Sequence, residues 1–388
     1  MQKEKTAVMY GAGKIGRGFI GHLLYQSGYR IAFVDIKEDL VEALNSRGAY
    51  PLRLMQGDAS TDGIVDNLIA VDGRDMEQTA EAIAGADLVA TAVGANQLPS
   101  IAPFIARGLA LRQGRGGAPL DILICENLKD AGPTLRGLIL AHLPEESHGW
   151  FEACVGLVET SIGCIVPQQT PELQDGDPIR ICGEAYDTLP ADQEAFRAGI
   201  PAVRGLVPYA PFSFYVERKL YICNMSHALT AYCGDYLGLT TICQAIGEPD
   251  VREIVRAAML SSADAIARRF QADASELNAY ADELLVRYSN RRLDDTVSRV
   301  GFDVRRKLAA KDRMMGALRA CLEEGTDGSR VALGIALALR FTHDSLPMPA
   351  ERALTEICGI GEKEPVYAQI LSMHERARAG VKLAELIE

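Results

Sequence analysis

Three polar side chains on one apolar helix are the residues of this sequence best placed to transfer a proton. Lys219, Asn224 and His227 lie in a run that also contains Leu220 and Ile222. At about 100° per residue, an α-helix would place His227 roughly 80° and Asn224 roughly 140° from Lys219, so the three would share one broad face. Polar groups on such a helix need either hydrogen-bond partners or a function.

Two interpretations of this face are open. In the structural one, the lysine extends its ammonium to solvent, and the core histidine and asparagine are simply hydrogen-bonded. In the chemical one, burial lowers the pKa of Lys219 so that it acts as a base. Asn224 and His227 would then donate hydrogen bonds to a developing alkoxide. Oxidation of an alcohol by a nicotinamide needs such groups and no metal ion.

A glycine turn between two strand-like segments predicts where a dinucleotide binds. The turn follows the apolar strand 7–10 and reads Gly11-Ala12-Gly13-Lys14-Ile15-Gly16. Gly11 permits the tight turn, Gly13 lets a pyrophosphate approach the backbone, and Gly16 allows close packing of helix on strand. Unbonded N–H groups at the start of the following helix would face the phosphates.

Asp35 supplies the acidic residue that this motif requires. It ends the second predicted strand, 30–34, about 20 residues after the turn. A carboxylate there would bind both ribose hydroxyls of NAD and repel a 2′-phosphate, so NAD is favoured over NADP. The alternative, a purely structural glycine turn, would not explain why both strands, the helix and the acid occur together.

Two later strands are predicted to end at the same edge of the sheet. Strand 87–93 is apolar and ends at Val93 and Gly94, and strand 120–125 delivers Glu126-Asn127. Ligands of doubly wound sheets bind outside the carboxyl ends of the strands. Val93 and Gly94 are therefore predicted to contact the cofactor.

The order of elements predicts an α/β N-terminal domain and a mainly α-helical C-terminal domain. Residues 1–195 alternate strands with helices, which is typical of a Rossmann-type doubly wound sheet. Residues 196–388 contain long amphipathic helices, and the boundary falls in the Pro/Gly-bearing stretch 199–211. We expect the first domain to bind NAD and the second to carry the substrate and the catalytic groups.

Composition and charge argue against several classes of protein. The net charge of −12 disfavours general nucleic-acid binding, and the longest apolar run, 331–339, is too short to cross a membrane. Polar residues follow Met1, so no signal peptide is predicted. The nine cysteines form neither a CxxC pair nor a Cys/His zinc spacing. We expect a cytoplasmic, metal-independent protein that binds small molecules as a monomer or weak homo-oligomer.

A basic stretch interrupts this acidic chain. Residues 287–319 carry ten Lys or Arg side chains and four Asp side chains. Such runs are usually solvated faces, but a local reversal of charge can also concentrate an anionic substrate. Arginine in particular suits phosphate oxygens. The residues predicted to bind a phosphate are Arg299, Arg306 and Lys307.

Several motifs resemble those of the mannitol-1-phosphate 5-dehydrogenases, which belong to the polyol-specific long-chain dehydrogenases of the mannitol dehydrogenase family. The resemblance runs nearly from end to end. It rests on the glycine turn, Thr91-Ala92-Val93-Gly94, Cys125-Glu126-Asn127, Glu217-Arg218-Lys219-Leu220 and the Lys-x4-Asn-x2-His pattern. It implies an NAD-dependent interconversion of D-mannitol 1-phosphate and D-fructose 6-phosphate.

The same resemblance implies roles for individual residues. Lys219 would be the general acid/base, and His227 would orient the substrate. Asn127 and Asn224 would hold the reacting oxygen.

Two segments depart from the family pattern. Where the family usually has Val-Asp-Arg-Ile before a proline, this sequence has Ile162-Gly163-Cys164-Ile165. Where the family commonly has Asn-Pro, it has Asn290-Arg291. These differences leave the exact substrate open. One alternative is the same chemistry on an unphosphorylated polyol or a hexuronate, and another is a catalytically silent protein that senses NAD(H).

Overall fold

The chain forms two compact units, Met1–Ser213 and Phe214–Glu388. The computed structural model describes residues 4–56, 59–128, 130–291 and 295–387. Arg292 and Asp294 of the predicted basic stretch lie outside these residues. The units divide after Ser213, just beyond the stretch 199–211 in which the boundary was predicted. Residues 196–213 belong to the first unit, where a strand at Leu206–Tyr209 pairs with one at Leu189–Asp192.

A parallel sheet organises the first unit. The strands in chain order are β1 Thr6–Tyr10, β2 Arg30–Asp35, β3 Tyr50–Gln56, β4 Ala59–Val65, β5 Leu68–Asp72, β6 Leu88–Thr91, β7 Leu120–Ile124, β8 Val155–Glu159, β9 Ile181–Glu184, β10 Leu189–Asp192 and β11 Leu206–Tyr209. Six of them form one sheet in the order β5-β2-β1-β6-β7-β8. The strand order reverses between β1 and β6, which is the arrangement of the Rossmann fold. The predicted fold class is confirmed.

The main sheet is buried on both faces because its strands are nearly continuous apolar runs. Met9 packs on one face with Phe19, and its neighbour Val8 packs on the other with Ile105. The α-helices of the first unit are α1 Gly21–Gln26, α2 Glu38–Arg47, α3 Met76–Gly85, α4 Leu98–Gly114, α5 Ala131–Leu140, α6 His148–Cys154 and α7 Pro171–Gln174. A π-helical turn, Gly16–Ile20, precedes α1.

The edge strand β5 of the main sheet was not predicted from the sequence. β5 pairs in parallel with β2 along its length, yet its short apolar run at Leu68–Val71 follows directly on a hairpin and gives no separate signal. That hairpin, β3 with β4, forms a smaller sheet with β9. The carboxyl ends of β1, β2, β6 and β7 nevertheless meet at one edge, as predicted.

The second unit is built from helices. They are α8 Ser213–Glu217, α9 Met225–Tyr236, α10 Ile242–Gly247, α11 Pro249–Phe270, α12 Ala274–Tyr288, α13 Val297–Gly301, α14 Val304–Lys307, α15 Arg313–Glu324, α16 Ser329–Ala338, α17 Ala350–Glu356 and α18 Pro365–Arg378. A π-helical segment, Arg218–Asn224, joins α8 to α9. Throughout the described residues, every helix is too short or too polar for a membrane-spanning segment.

Candidate dinucleotide and proton-transfer sites

The glycine turn has the geometry that a pyrophosphate requires. A Cβ on Gly16 would lie 1.8 Å from the carbonyl oxygen of Gly11, so only glycine permits this close packing. Gly11 itself has φ +99° and abuts Ala92, whose carbonyl oxygen would be 2.5 Å from an added Cβ. Gly13 is different, because a Cβ there would meet nothing within 4 Å. This open space at Gly13 is consistent with the prediction that a pyrophosphate approaches the backbone there.

Asp35 lies directly beside this turn. One of its carboxylate oxygens accepts a hydrogen bond from the backbone N–H of Ala12 at 2.8 Å, and the other accepts from Lys37 N–H at 3.0 Å. A carboxylate has about four acceptor sites, so both oxygens can still accept bonds from ribose hydroxyls. The predicted acid therefore fits NAD and also fastens the turn to the end of β2.

Arg17 is a residue of this site to which sequence reasoning gave no role. It is buried, and its guanidinium donates to the carbonyl oxygens of Ala12 at 2.7 Å and of Ile179 at 2.5 Å. Tyr50 OH in turn donates to the carbonyl oxygen of Arg17 at 2.7 Å. These bonds link the glycine turn to the neighbouring smaller sheet, so Arg17 stabilises the conformation of the turn.

Glu126 follows β7, at the edge of the sheet where the cofactor is predicted to bind. It is 6% exposed and accepts hydrogen bonds from the backbone N–H groups of Val93 at 2.9 Å and Gly94 at 2.8 Å. Burial raises the pKa of this carboxyl, although the two N–H donors oppose the shift. Val93 and Gly94 are thus fixed in place, and the exposed Asn127 follows at the same edge.

Replacing Gly13 with alanine is expected to weaken NADH binding without destabilising the fold. The new methyl group meets no protein atom within 4 Å, but it would occupy the space predicted for the pyrophosphate. We expect the Kd for NADH, measured by fluorescence titration, to rise by about tenfold or more, which is ~1.4 kcal/mol. Gly85→Ala is the control, since Gly85 also has open space and lies at the end of α3. Wild-type NADH affinity in Gly13→Ala would contradict this placement.

The segment that carries Lys219, Asn224 and His227 is not one continuous α-helix. Sequence periodicity predicted a single run, but Arg218–Asn224 is π-helical, and the N–H of Met225 bonds to the carbonyl oxygen of Leu220 five residues back. The α-helical angles given above therefore do not apply. In an α-helix residues four apart are neighbours, whereas in a π-helix residues five apart are neighbours. Lys219 and Asn224 are five apart, so the π-turn brings them closer than predicted.

Lys219 is desolvated in this segment. The residue as a whole keeps partial exposure, but burial around its ammonium lowers its pKa to about 8. The Cys223 thiol opposes the shift, and the Arg313 guanidinium contributes to it. An amine with a pKa near 8 can both accept and donate a proton near neutral pH. The desolvated ammonium is what the chemical interpretation of this lysine requires, and its role as an acid/base stays a prediction.

His227 is held by two neighbours that the sequence did not reveal. Its Nε2–H donates to Asp295 Oδ2 at 2.9 Å, and its ring stacks on Tyr288 with centroids 4.9 Å apart and planes 11° apart. Burial would raise the pKa of Asp295, but its bonds to His227 and Arg299 lower it below the usual value. Asp295 therefore stays ionised, fixes the Nε2–H tautomer of His227 and restricts its ring.

The three residues predicted to bind phosphate differ in solvent exposure. Arg299 donates to Asp295, and its side chain is 65% exposed. Arg306 pairs with Asp303 at 2.5 Å and is 48% exposed. Lys307 is buried and donates to the carbonyl oxygen of Phe302. In this conformation the two arginines can reach a ligand from solvent, whereas the ammonium of Lys307 faces the protein interior.

Comparisons with known proteins agree with this architecture. The mannitol dehydrogenase Rossmann domain matches residues 5–205, and the mannitol dehydrogenase C-terminal domain matches residues 212–351. A D-sorbitol dehydrogenase in substrate-free form is similar in structure, with a TM-score of 0.84 and 16% sequence identity. The similarity covers 99% of this chain and 94% of that one.

A second solved structure has the same fold. It is the Pseudomonas fluorescens mannitol 2-dehydrogenase in a ternary complex with NAD and D-mannitol, with a TM-score of 0.74 and 17% identity. The similarity covers 99% of this chain and 93% of that one. The two family domains together span most of the chain, and the turn and Asp35 fit the predicted NAD, which is confirmed as the cofactor. The chain therefore belongs to the mannitol dehydrogenase family and is an NAD-dependent oxidoreductase.

Proposed function

We propose that this protein interconverts D-mannitol 1-phosphate and D-fructose 6-phosphate, with Lys219 as the general acid/base. The observation that carries the proposal is the desolvated Lys219, whose pKa is about 8, on a π-helical segment that also positions Asn224. A lysine in ordinary solvent would remain protonated at neutral pH and could not accept a proton from an alcohol.

The proton chemistry follows from these side chains. NAD, held by the glycine turn and Asp35, would supply the acceptor for the hydride that leaves the substrate carbon. In the same direction, the neutral amine of Lys219 takes the hydroxyl proton, and the side-chain amide of Asn224 donates a hydrogen bond to the developing alkoxide. His227, oriented by Asp295, hydrogen-bonds a neighbouring substrate hydroxyl. In the reverse direction the ammonium of Lys219 returns the proton to the carbonyl oxygen.

Positive charge near Lys219 supports an anionic substrate. Burial lowers the pKa of Lys219 and of Lys307, each to about 8, and the Arg313 guanidinium contributes to both shifts. Arg306 contributes further at Lys307. Like charges gathered in this way are relieved when an anion binds among them. Arg299 and Arg306, which reach solvent, are the proposed phosphate contacts.

A free polyol or a hexuronate is the second candidate substrate. Arg299, Arg306 and Arg313 each already pair with an aspartate, at positions 295, 303 and 312 respectively. A phosphate would have to compete with these carboxylates. The two solved relatives are named for sorbitol and mannitol, which carry no phosphate.

Substrate trials with NADH test the proposal. We expect oxidation of NADH with fructose 6-phosphate and little with fructose or a hexuronate. Arg306→Gln and Arg299→Gln should raise the KM for fructose 6-phosphate by roughly tenfold to a hundredfold. Arg256→Gln, which removes an exposed arginine paired with Asp282, is the matched control and should leave KM unchanged.

The other outcomes separate the alternatives. Turnover with fructose or a hexuronate alone would retain Lys219 as the acid/base and reject the phosphate contacts. Tight NADH binding without turnover on any of the three substrates would favour the NAD(H)-sensing alternative.

A further inference from the structure

Glu126 is a buried carboxyl group without a cationic partner among the described residues. Both of its carboxylate oxygens accept backbone N–H bonds, from Val93 and Gly94, and no Lys, Arg or His in the described part of the chain forms an ion pair with it. Buried carboxylates are costly unless they are paired. Burial raises the pKa of Glu126, but its two backbone N–H donors favour the ionised form. A simple tether between two loops could use any hydrogen-bond acceptor, so the choice of a carboxylate needs an explanation.

Its position in the sheet suggests that explanation. The order of the strands reverses between β1 and β6, and dinucleotides bind in the crevice at this reversal. The segment that Glu126 holds follows β6 directly. It adjoins the glycine turn, since Ala92 N–H donates to the carbonyl oxygen of Tyr10 at 2.8 Å and Ala92 contacts Gly11. Glu126 thus lies behind the loop that forms one wall of the NAD crevice.

We propose that Glu126 sets the preference of this site for the oxidised over the reduced nicotinamide. The nicotinamide ring of NAD⁺ carries a positive charge, whereas the ring of NADH is neutral. A carboxylate buried behind Val93 and Gly94 acts through a medium of low dielectric constant and attracts the cationic ring more than the neutral one. The inference rests on NAD as the cofactor and is independent of the substrate.

The structure also provides a matched control. Glu159 ends β8, on the edge of the same sheet, and accepts a backbone N–H bond from Gly132 at 2.9 Å. Burial raises the pKa of this carboxyl, as it does for Glu126. Since β8 lies two strands away from β6 in the sheet, a change of charge at Glu159 should not distinguish the two forms of the cofactor.

The test is a pair of binding constants for each variant, without any substrate. NADH binding is measured by fluorescence and NAD⁺ binding by competition with NADH. In Glu126→Gln we expect the ratio Kd(NAD⁺)/Kd(NADH) to rise about tenfold, whereas Glu159→Gln keeps the wild-type ratio. Glu126→Asp, which retains the charge, should stay close to the wild-type ratio even if both constants change.

The ratio Kd(NAD⁺)/Kd(NADH) also distinguishes an effect of the Glu126 charge from an effect of Glu126 on the structure of the loop. Equal weakening of NAD⁺ and NADH in Glu126→Gln would mean that Glu126 only tethers the loop, and the proposal would be overturned. Glu126→Ala provides a second neutral variant if the glutamine variant does not fold, and thermal melting monitors the fold of each. A ratio that rises equally in Glu126→Asp would also contradict an effect of charge.

Discussion

Replacing Lys219 with alanine is expected to lower kcat by roughly a thousandfold, because the reacting hydroxyl then has no group to take its proton. The affinity for NADH should not change, since Lys219 belongs to the second unit, whereas the glycine turn and the loop at Val93 and Gly94 belong to the first. Steady-state rates and NADH fluorescence titration measure the two effects separately. Lys311→Ala, which removes an exposed lysine of the same unit, is the control.

The pH dependence provides the signature of the same lysine. Oxidation needs the neutral amine, so its rate should rise with pH and level off above about 8, where the pKa of Lys219 lies. Reduction needs the ammonium, so its rate should be constant at low pH and fall above about 8. Both inflections should be absent from the residual activity of Lys219→Ala. Wild-type rates in that variant would exclude Lys219 as the acid/base.

Asp295→Asn is expected to reduce kcat/KM by roughly tenfold to a hundredfold, through a misplaced His227. Asparagine fits the same space, but it removes the negative charge and can present its amide NH₂ to His227 Nε2 in place of an acceptor. The imidazole would then adopt the other tautomer or rotate away. The backbone should be unaffected, because the Asp295 carbonyl oxygen accepts from Ile242 N–H at 2.8 Å independently of the side chain.

The control for this variant is Asp282→Asn. Asp282 forms an exposed pair with Arg256 at 2.8 Å, so its loss removes the same charge from the same unit without touching His227. Because Asp295 also pairs with Arg299, a loss of kcat/KM in Asp295→Asn beyond that of Arg299→Gln, with an unchanged melting temperature, would show that the carboxylate positions His227. Equal effects of the two substitutions would exclude that role.

Much of the first unit was predictable because its signals are local. The strand-turn-helix pattern around Gly11 and the acid at Asp35 follow one another within a short stretch, and each apolar run marks a strand. The edge at which Gly94 and Asn127 emerge follows from chain order alone. β5 was missed because a five-residue strand next to a hairpin gives no independent period.

The candidate site was only partly predictable, for the same reason. Lys219, Asn224 and His227 were recognised because they share one short segment. Asp295 pairs with His227 from a distant part of the chain, and no spacing rule links the two. The N–H bonds to Glu126 likewise arise between two loops. Tertiary partners of this kind become visible only when the fold brings separate segments together.

The π-helical segment has a consequence for how this chain is aligned with its relatives. A π-turn holds one residue more than the α-helical turn that it replaces, so it is in effect a single-residue insertion absorbed within a helix. The residues of α8 and those of α9 are therefore out of phase by one position. A helical wheel drawn through 213–236 as one helix assigns the wrong faces after Asn224, and an alignment with a relative that lacks the bulge needs a one-residue gap between Lys219 and Asn224.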